Sequence, residues 1–431
     1  MPHPRTDRSR PVSGAAPSSA AVRQHNAAAV WAALDGTDGL TGTELMAVCS
    51  LSRPTVHAVC DDLIARGLVV EIETRSPHSD TGAGRPARQY ASRDDGAHVV
   101  GIDLGAKKVS AVVADLRGRV RARESTSFRD ERVPAVERVA IVRETVRAAL
   151  AAAGVDSHGV LCVAMGVPSP VDARGHVTAA EHYLPGLAEL DLRAVLADDF
   201  GWTTIVENDA NLAVIGERWL GVAQGVEDVV ELLAGYRLGA GVVLGGRLLR
   251  GSGGAAGELT FLNLVEGVGN TDAVAELAEV LAHEAETDGR FPAMEQLGPD
   301  ARDERGRPHA RAVFDAARRG DPVAHEIVDR IVDRMARVVA IISTFLNPSL
   351  VVIGGGAALV GDLILPPLRS ALPALTDTPP QLEASSLGDH AVTTGAVRCA
   401  LDDVETRLFG DTPALTLATH SALPSEGLPA R

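Results

Sequence analysis

Apolar residues recur along this chain in two rhythms. Between about residues 22 and 92 they come at helical spacing in three short runs: Val30, Trp31 and Leu34; then residues 44–48; then Val56, Val59, Leu63 and Ile64. That spacing predicts three helices, each with one buried face. The first ends at Asp35-Gly36, and Thr41 opens the second through a T-x-x-E box with Glu44. Ser52 caps the third, with Pro54 in its first turn and Gly67 past its end. Arg53, Thr55, His57 and Ala58 lie opposite its apolar stripe. Residues 68–73 and 88–91 read as the strands of a hairpin.

From His98 the rhythm changes. Residues 98–105 (HVVGIDLG) and 109–115 predict a strand pair, 135–153 an Arg-laced surface helix, 202–206 a short buried strand, and 210–219 a helix. Residues 207–211 therefore fall at a strand-to-helix turn, where open α/β sheets hold ligands. Asn208 and Asp209 can hydrogen-bond vicinal hydroxyls, and the carboxylate can act as a general base. They can equally well cap the helix that follows. Residues 2–20 and 409–431 lack periodicity and are expected to be disordered.

Composition narrows the function classes. The chain has 431 residues, 45% of them hydrophobic, enough for two or three units with substantial cores. Cys49, Cys60, Cys162 and Cys399 are scattered, which argues against a disulfide framework or a cysteine zinc site. No 18-residue apolar run or signal-peptide pattern occurs, so a cytoplasmic protein without a membrane partner is expected. The net charge is −16, but residues 1–93 carry a net charge of +1. A nucleic-acid surface, if present, belongs to that first part.

The ordered set L-T-x-x-E-L, S-L-S-R-P-T-V, L-x-x-x-G-L-V and G-R-P-A-R resembles the winged helix-turn-helix of bacterial repressors. The resemblance implies that Ser52, Arg53, Thr55 and His57 meet base edges in the major groove of double-stranded DNA. Arg85 and Arg88 in the wing would add phosphate or minor-groove contacts. Asp61 and Asp62 are expected on a face turned from DNA.

Further on come HVVGIDLG, CVAMGVPSPVDARGHV, VENDANLAVIGE, GAGVVLGGRLLRGSGGAAGEL, LNPSLVVIGGGAALVGDLILPPLRSAL and DHAVTTGAVRCAL. In that order they resemble the ROK family (repressor, open reading frame, kinase). The resemblance implies an α/β fold in which a winged helix-turn-helix precedes a two-lobed actin-like domain of the sugar kinase/hexokinase type. The lobes would span about 98–220 and 220–385, with the last helix returning to the first lobe. The expected division is a tail at 1–20, the DNA-binding domain at 21–95, the ROK domain at 96–404 and a tail at 405–431.

By the same resemblance Asn208, Asp209 and Glu258 bind a sugar, Asp209 matches the kinase base, and Asp103 matches the acid that serves magnesium and phosphate. The chain also departs from the pattern. Phe261 stands where the family has a histidine, and NLVEGVGNTDAVAEL replaces the zinc loop, so no metal is expected. Tyr236 and Arg237 crowd the phosphate turn at 235–239, and Lys107 replaces a threonine hydroxyl, while Gly354, Gly355 and Gly356 remain where the kinases hold adenine. Kinase chemistry and a cofactor are therefore not expected, and no residue is assigned a catalytic role. The reading is a repressor of carbohydrate genes, a homodimer or homotetramer on a palindromic operator, answering to a sugar or sugar derivative. A residual sugar kinase and a ligand-independent DNA-binding protein with a ROK scaffold are the alternatives.

Overall fold

The computed structural model of the chain describes residues 19–72, 88–93, 95–128, 133–178, 184, 186–234, 237–290, 302 and 306–410. It divides into two compact units, Met1–Gly96 with Val404–Arg431, and Ala97–Asp403.

The first unit runs α1 (Ser19–Ala33), β1 (Leu40–Thr41), α2 (Gly42–Cys49), α3 (Arg53–Ala65), β2 (Val69–Ile72) and β3 (Gln89–Ser92). α1 begins within the segment expected to be a tail, and the rest of that segment lies outside the described residues. The capping box at Thr41 and Glu44 is present, and Ser52 caps α3 as its sequence predicts. The strands form a three-stranded sheet in the order β1-β3-β2. Val30, Trp31, Leu34, Leu45, Val56, Val59 and Leu63 are buried together with Tyr90 of β3.

The second unit opens with β4 (His98–Leu104), β5 (Lys108–Asp115), β6 (Val120–Ser127), α4 (Ala135–Ala153), β7 (Val160–Val167), α5 (Leu192–Phe200), β8 (Thr203–Asn208) and α6 (Asp209–Leu220). It continues with β9 (Val229–Ala234), β10 (Leu238–Leu244), β11 (Arg247–Leu248), α7 (Val274–Thr287), α8 (Ala310–Arg318), α9 (Pro322–Leu346), β12 (Leu350–Gly354), α10 (Gly361–Ala371), β13 (Gln381–Ala384) and α11 (Ala391–Phe409). Two five-stranded sheets result, β6-β5-β4-β7-β8 and β11-β10-β9-β12-β13. Each has an antiparallel meander of its first three strands and two parallel strands added beside the first. The same topology occurs twice, which is the duplicated architecture of the actin-like fold that the motifs imply. β4, β7 and β12 are buried along almost their whole length because helices cover both faces.

α11 returns to the first sheet, as expected: a Cβ on Gly101 of β4 would lie 2.7 Å from the carbonyl of Thr393. The helix also continues past residue 404, so residues 405–409 are not a tail, and 411–431 lie outside the described residues. Within the first unit the Phe409 ring sits 6.4 Å from that of Trp31, and the Arg66 guanidinium lies 5.3 Å from its centroid. Arg66 Nη2 donates to the Leu408 carbonyl at 2.5 Å. Helix C-termini leave such carbonyls without partners, so a buried arginine there acts as a cap. Arg66→Ala should destabilise the first unit by about 1–3 kcal/mol; an unchanged chemical-denaturation midpoint would show that this cap contributes nothing.

α4 is not wholly a surface helix. Arg138 is fully buried, donating to the carbonyls of Val133 and Ala106 at 3.0 Å and lying 4.4 Å from the Phe128 ring. Among the described residues no helix is long and apolar enough to cross a membrane, and no three metal-ligating side chains gather.

Candidate functional site

The parallel strands β4, β7 and β8 end side by side: Asp103 is in register with Gly166, and Gly166 with Glu207. Gly166 has to be glycine, because a Cβ there would lie 2.7 Å from Val392 and 3.0 Å from Leu212. The bare backbone lets α6 start directly above the strand ends. Asn208 and Asp209 then stand at the first turn of α6, where the capping reading is met. Asn208 is the N-cap, its Oδ1 accepting from the Asn211 amide at 3.1 Å and its Nδ2 donating to the Ser169 carbonyl at 3.2 Å. One amide hydrogen and one lone pair of Asn208 remain for a ligand. Asp209 Oδ1 accepts from the Ala210 amide at 2.8 Å, which leaves its second oxygen free of that bond.

Three carboxyls meet at this point. Enclosure by protein pushes Asp209 up to about 8, and the nearby carboxyls of Asp103 and Glu258 add to the shift. Asp103 is pushed up to about 6 by burial, Lys108 working against the shift and Asp389 with it. Burial also raises Glu258. All three side chains are partly exposed. Glu258 is delivered by the loop after β11, where Gly257 has φ +89° and a Cβ would lie 2.0 Å from the Ala240 carbonyl.

The sequence reading missed Glu207. It is buried, accepting from the Asn208 amide at 3.0 Å, from Asn211 Nδ2 at 2.9 Å and from Arg250 Nε at 2.7 Å. Glu207 thereby joins the first turn of α6 to the loop that carries Glu258. Its adjacency to Asn208 was the available signal, but Arg250 is 43 residues away.

Phe261 sits on the short turn Thr260–Leu264 with its ring partly exposed. Gly235 and Tyr236 of the altered phosphate turn lie outside the described residues. Arg237 pairs with Asp272 at 3.4 Å. Gly355 (φ +63°) turns the chain after β12, and a cleft of about 530 Å³ beside Gly356 is lined by Val274, Ala310, Phe314 and Leu359. Arg318, on the same cleft, is held by Asp362 through two bonds of 2.8 and 2.9 Å.

In the first unit, the Ser52 and Thr55 hydroxyls share a hydrogen bond of 2.8 Å at the exposed start of α3, and Arg53 is exposed beside them. Arg88 Nη2 lies 2.6 Å from Glu71 and 3.3 Å from Asp61. His57 Nδ1 lies 3.0 Å from the Tyr90 hydroxyl. Arg85 lies outside the described residues. Asp61 and Asp62 are exposed on α3, and each is matched by an arginine, Arg88 for the first and Arg66 for the second at 3.4 Å.

A family model described as the ROK family matches residues 99–403. The chain is similar to the xylose repressor of Caldicellulosiruptor bescii, 25% identical over 387 residues that cover 85% of this chain and 92% of that protein. It is also similar to the glucokinase of Thermotoga maritima, 29% identical over 282 residues, 63% of this chain and 86% of the glucokinase. Among solved structures, a ROK family transcriptional regulator described as a homolog of the E. coli MLC protein matches with a TM-score of 0.67 at 22% identity. That match covers 89% of this chain and 97% of the other, and it shows a shared fold.

Proposed function

The chain belongs to the ROK family, and we propose that within it this protein is a DNA-binding transcriptional repressor of carbohydrate genes, controlled by a sugar bound at Asn208, Asp209 and Glu258. The observation that carries this reading is the span of the repressor similarity: 85% of the chain, more than the family region holds, against 63% for the glucokinase.

Ser52, Arg53 and Thr55 at the N-terminus of α3 are the candidates for base edges, with Arg85 as a phosphate contact from the wing. One such module buries too little DNA for strong specificity, so two copies on a palindromic operator are proposed, in a homodimer or homotetramer. Control is a shift in population: a sugar changes DNA occupancy only through unequal affinity for the DNA-competent and DNA-incompetent states.

Burial pushes the Asp209 carboxyl up to about 8. That value fits a group donating and accepting hydrogen bonds to a sugar, and it fits a general base equally well. The kinase alternative is therefore weighed on the altered phosphate turn at 235–239 and not on Asp209. Selection of genomic fragments by the purified full chain tests the proposal. Enrichment of a palindrome beside carbohydrate transport or catabolism genes is expected; no enrichment would remove the DNA-binding reading.

A further inference from the structure

The outward stripe of α3 holds one ring that does not face outward freely. His57 Nδ1 shares its hydrogen bond with the hydroxyl of Tyr90, and the two rings stand edge to face with centroids 6.3 Å apart. The opposite edge of the imidazole rests on the start of α2: a Cβ on Gly42 would lie 3.4 Å from Cε1 and 3.7 Å from Nε2. Tyr90 is fully buried in β3, paired with Leu40 on one side and Glu71 on the other. Two residues before it, the Arg88 guanidinium lies 5.5 Å from the Tyr90 ring and reaches both Glu71 and Asp61. Asp61 is one turn after His57 on α3, so Tyr90 of β3 and Arg88 just before that strand hold the helix at two points on one face.

These contacts do what the apolar stripe beneath α3 does not. Burial of Val56, Val59, Cys60 and Leu63 sets which face of α3 turns inward but supplies no directional bond at the edge of that face. Hydrogen bonds fix direction, and base readout demands placement to a fraction of an ångström. We propose that Tyr90 is a positioning residue of the DNA surface, setting the rotation of α3 through His57 and Arg88, and that His57 serves this clamp instead of reading a base. The inference rests on the DNA-binding reading above.

The test uses the full chain and the fragment recovered by selection, at a temperature well below the unfolding midpoint, where a purely stabilising role leaves affinity unchanged. Tyr90→Phe and His57→Ala should each weaken operator binding about 3- to 10-fold, and the double variant should be no weaker than the worse single, because both remove one link. Base preference should flatten evenly across the site, with no single position altered. Arg88→Gln should weaken binding with the slope of log K against log salt unchanged, whereas loss of a phosphate contact would reduce that slope by about 1.

Wild-type affinity in Tyr90→Phe would overturn the proposal. So would a change of preference at one base pair confined to His57→Ala, which would make His57 a reader. A wild-type chain that enriches no fragment would overturn the DNA-binding reading itself, and this inference with it.

Discussion

Glu231→Met is expected to stabilise the second unit by about 1–3 kcal/mol, the cost of a buried polar group left without a partner. Glu231 lies in the middle of β9, fully buried, and neither carboxyl oxygen has a hydrogen-bond partner. Its Oε1 lies 1.9 Å from where a Cβ on Gly354 would stand, so the carboxyl rests on bare backbone. Buried Glu217 is the nearby charge, and it has donors of its own: the Val222 amide at 2.8 Å and the Ser385 hydroxyl at 2.5 Å. Burial first, and the nearby Glu217 carboxyl second, push Glu231 well above its ordinary range. Met keeps the unbranched shape and removes the stranded oxygens.

The gain should depend on pH, with a definite sign. A carboxyl whose folded pKa is raised binds its proton more tightly in the folded state. Its favourable contribution is complete below the unfolded pKa of 4.5 and is lost as pH climbs toward the folded value. Asp103, at about 6, and Asp209, at about 8, act in the same direction. Together these groups lower stability between about pH 4 and 8, and Glu231→Met should flatten that fall, gaining more at pH 8 than at pH 5. Denaturant midpoints at the two pH values measure this. Equal midpoints for the variant and the wild type at both would show that Glu231 costs the fold nothing.

The second large effect is on ligand binding. Asp209→Ala should lower sugar affinity on the order of 100-fold, because it removes a walled-in group that both donates and accepts. Operator binding should stay at the wild-type level. Asp209→Asn should be far milder near pH 6, since an amide there replaces a carboxyl that burial keeps mostly protonated. Calorimetric titration with free pentoses, hexoses and N-acetylhexosamines reads the difference. An Asn variant as damaged as the Ala variant would mean that the ionised carboxylate is the binding form.

What was legible in the sequence was what depends on near neighbours. The box at Thr41 and Glu44 and the Ser52 cap are bonds between residues three apart, so the residue types announce them. The turn at Asn208 and Asp209 was visible because an apolar strand gives way there to helical spacing. β6 was not: it is largely exposed, and VRARESTS lacks the alternation of a half-buried strand. Residues 405–409 look like a polar tail until Phe409 meets Trp31 and Arg66, more than 300 positions earlier. His57 has the helical position of a base reader, and only the fold brings Tyr90, 33 residues on, against it. Arg88 likewise looks like a free wing cation until β2 and α3 place Glu71 and Asp61 beside it.

The central claim is that one chain couples a DNA surface to a carboxyl-lined sugar pocket. Its most direct test is titration of the recovered operator complex with the sugar panel, free and phosphorylated, for the wild-type chain and for Asp209→Ala. One sugar should change operator occupancy of the wild type, and the same change in Asp209→Ala should require on the order of 100-fold more of it. A complex that no sugar alters, or one altered equally in both proteins, would contradict that coupling.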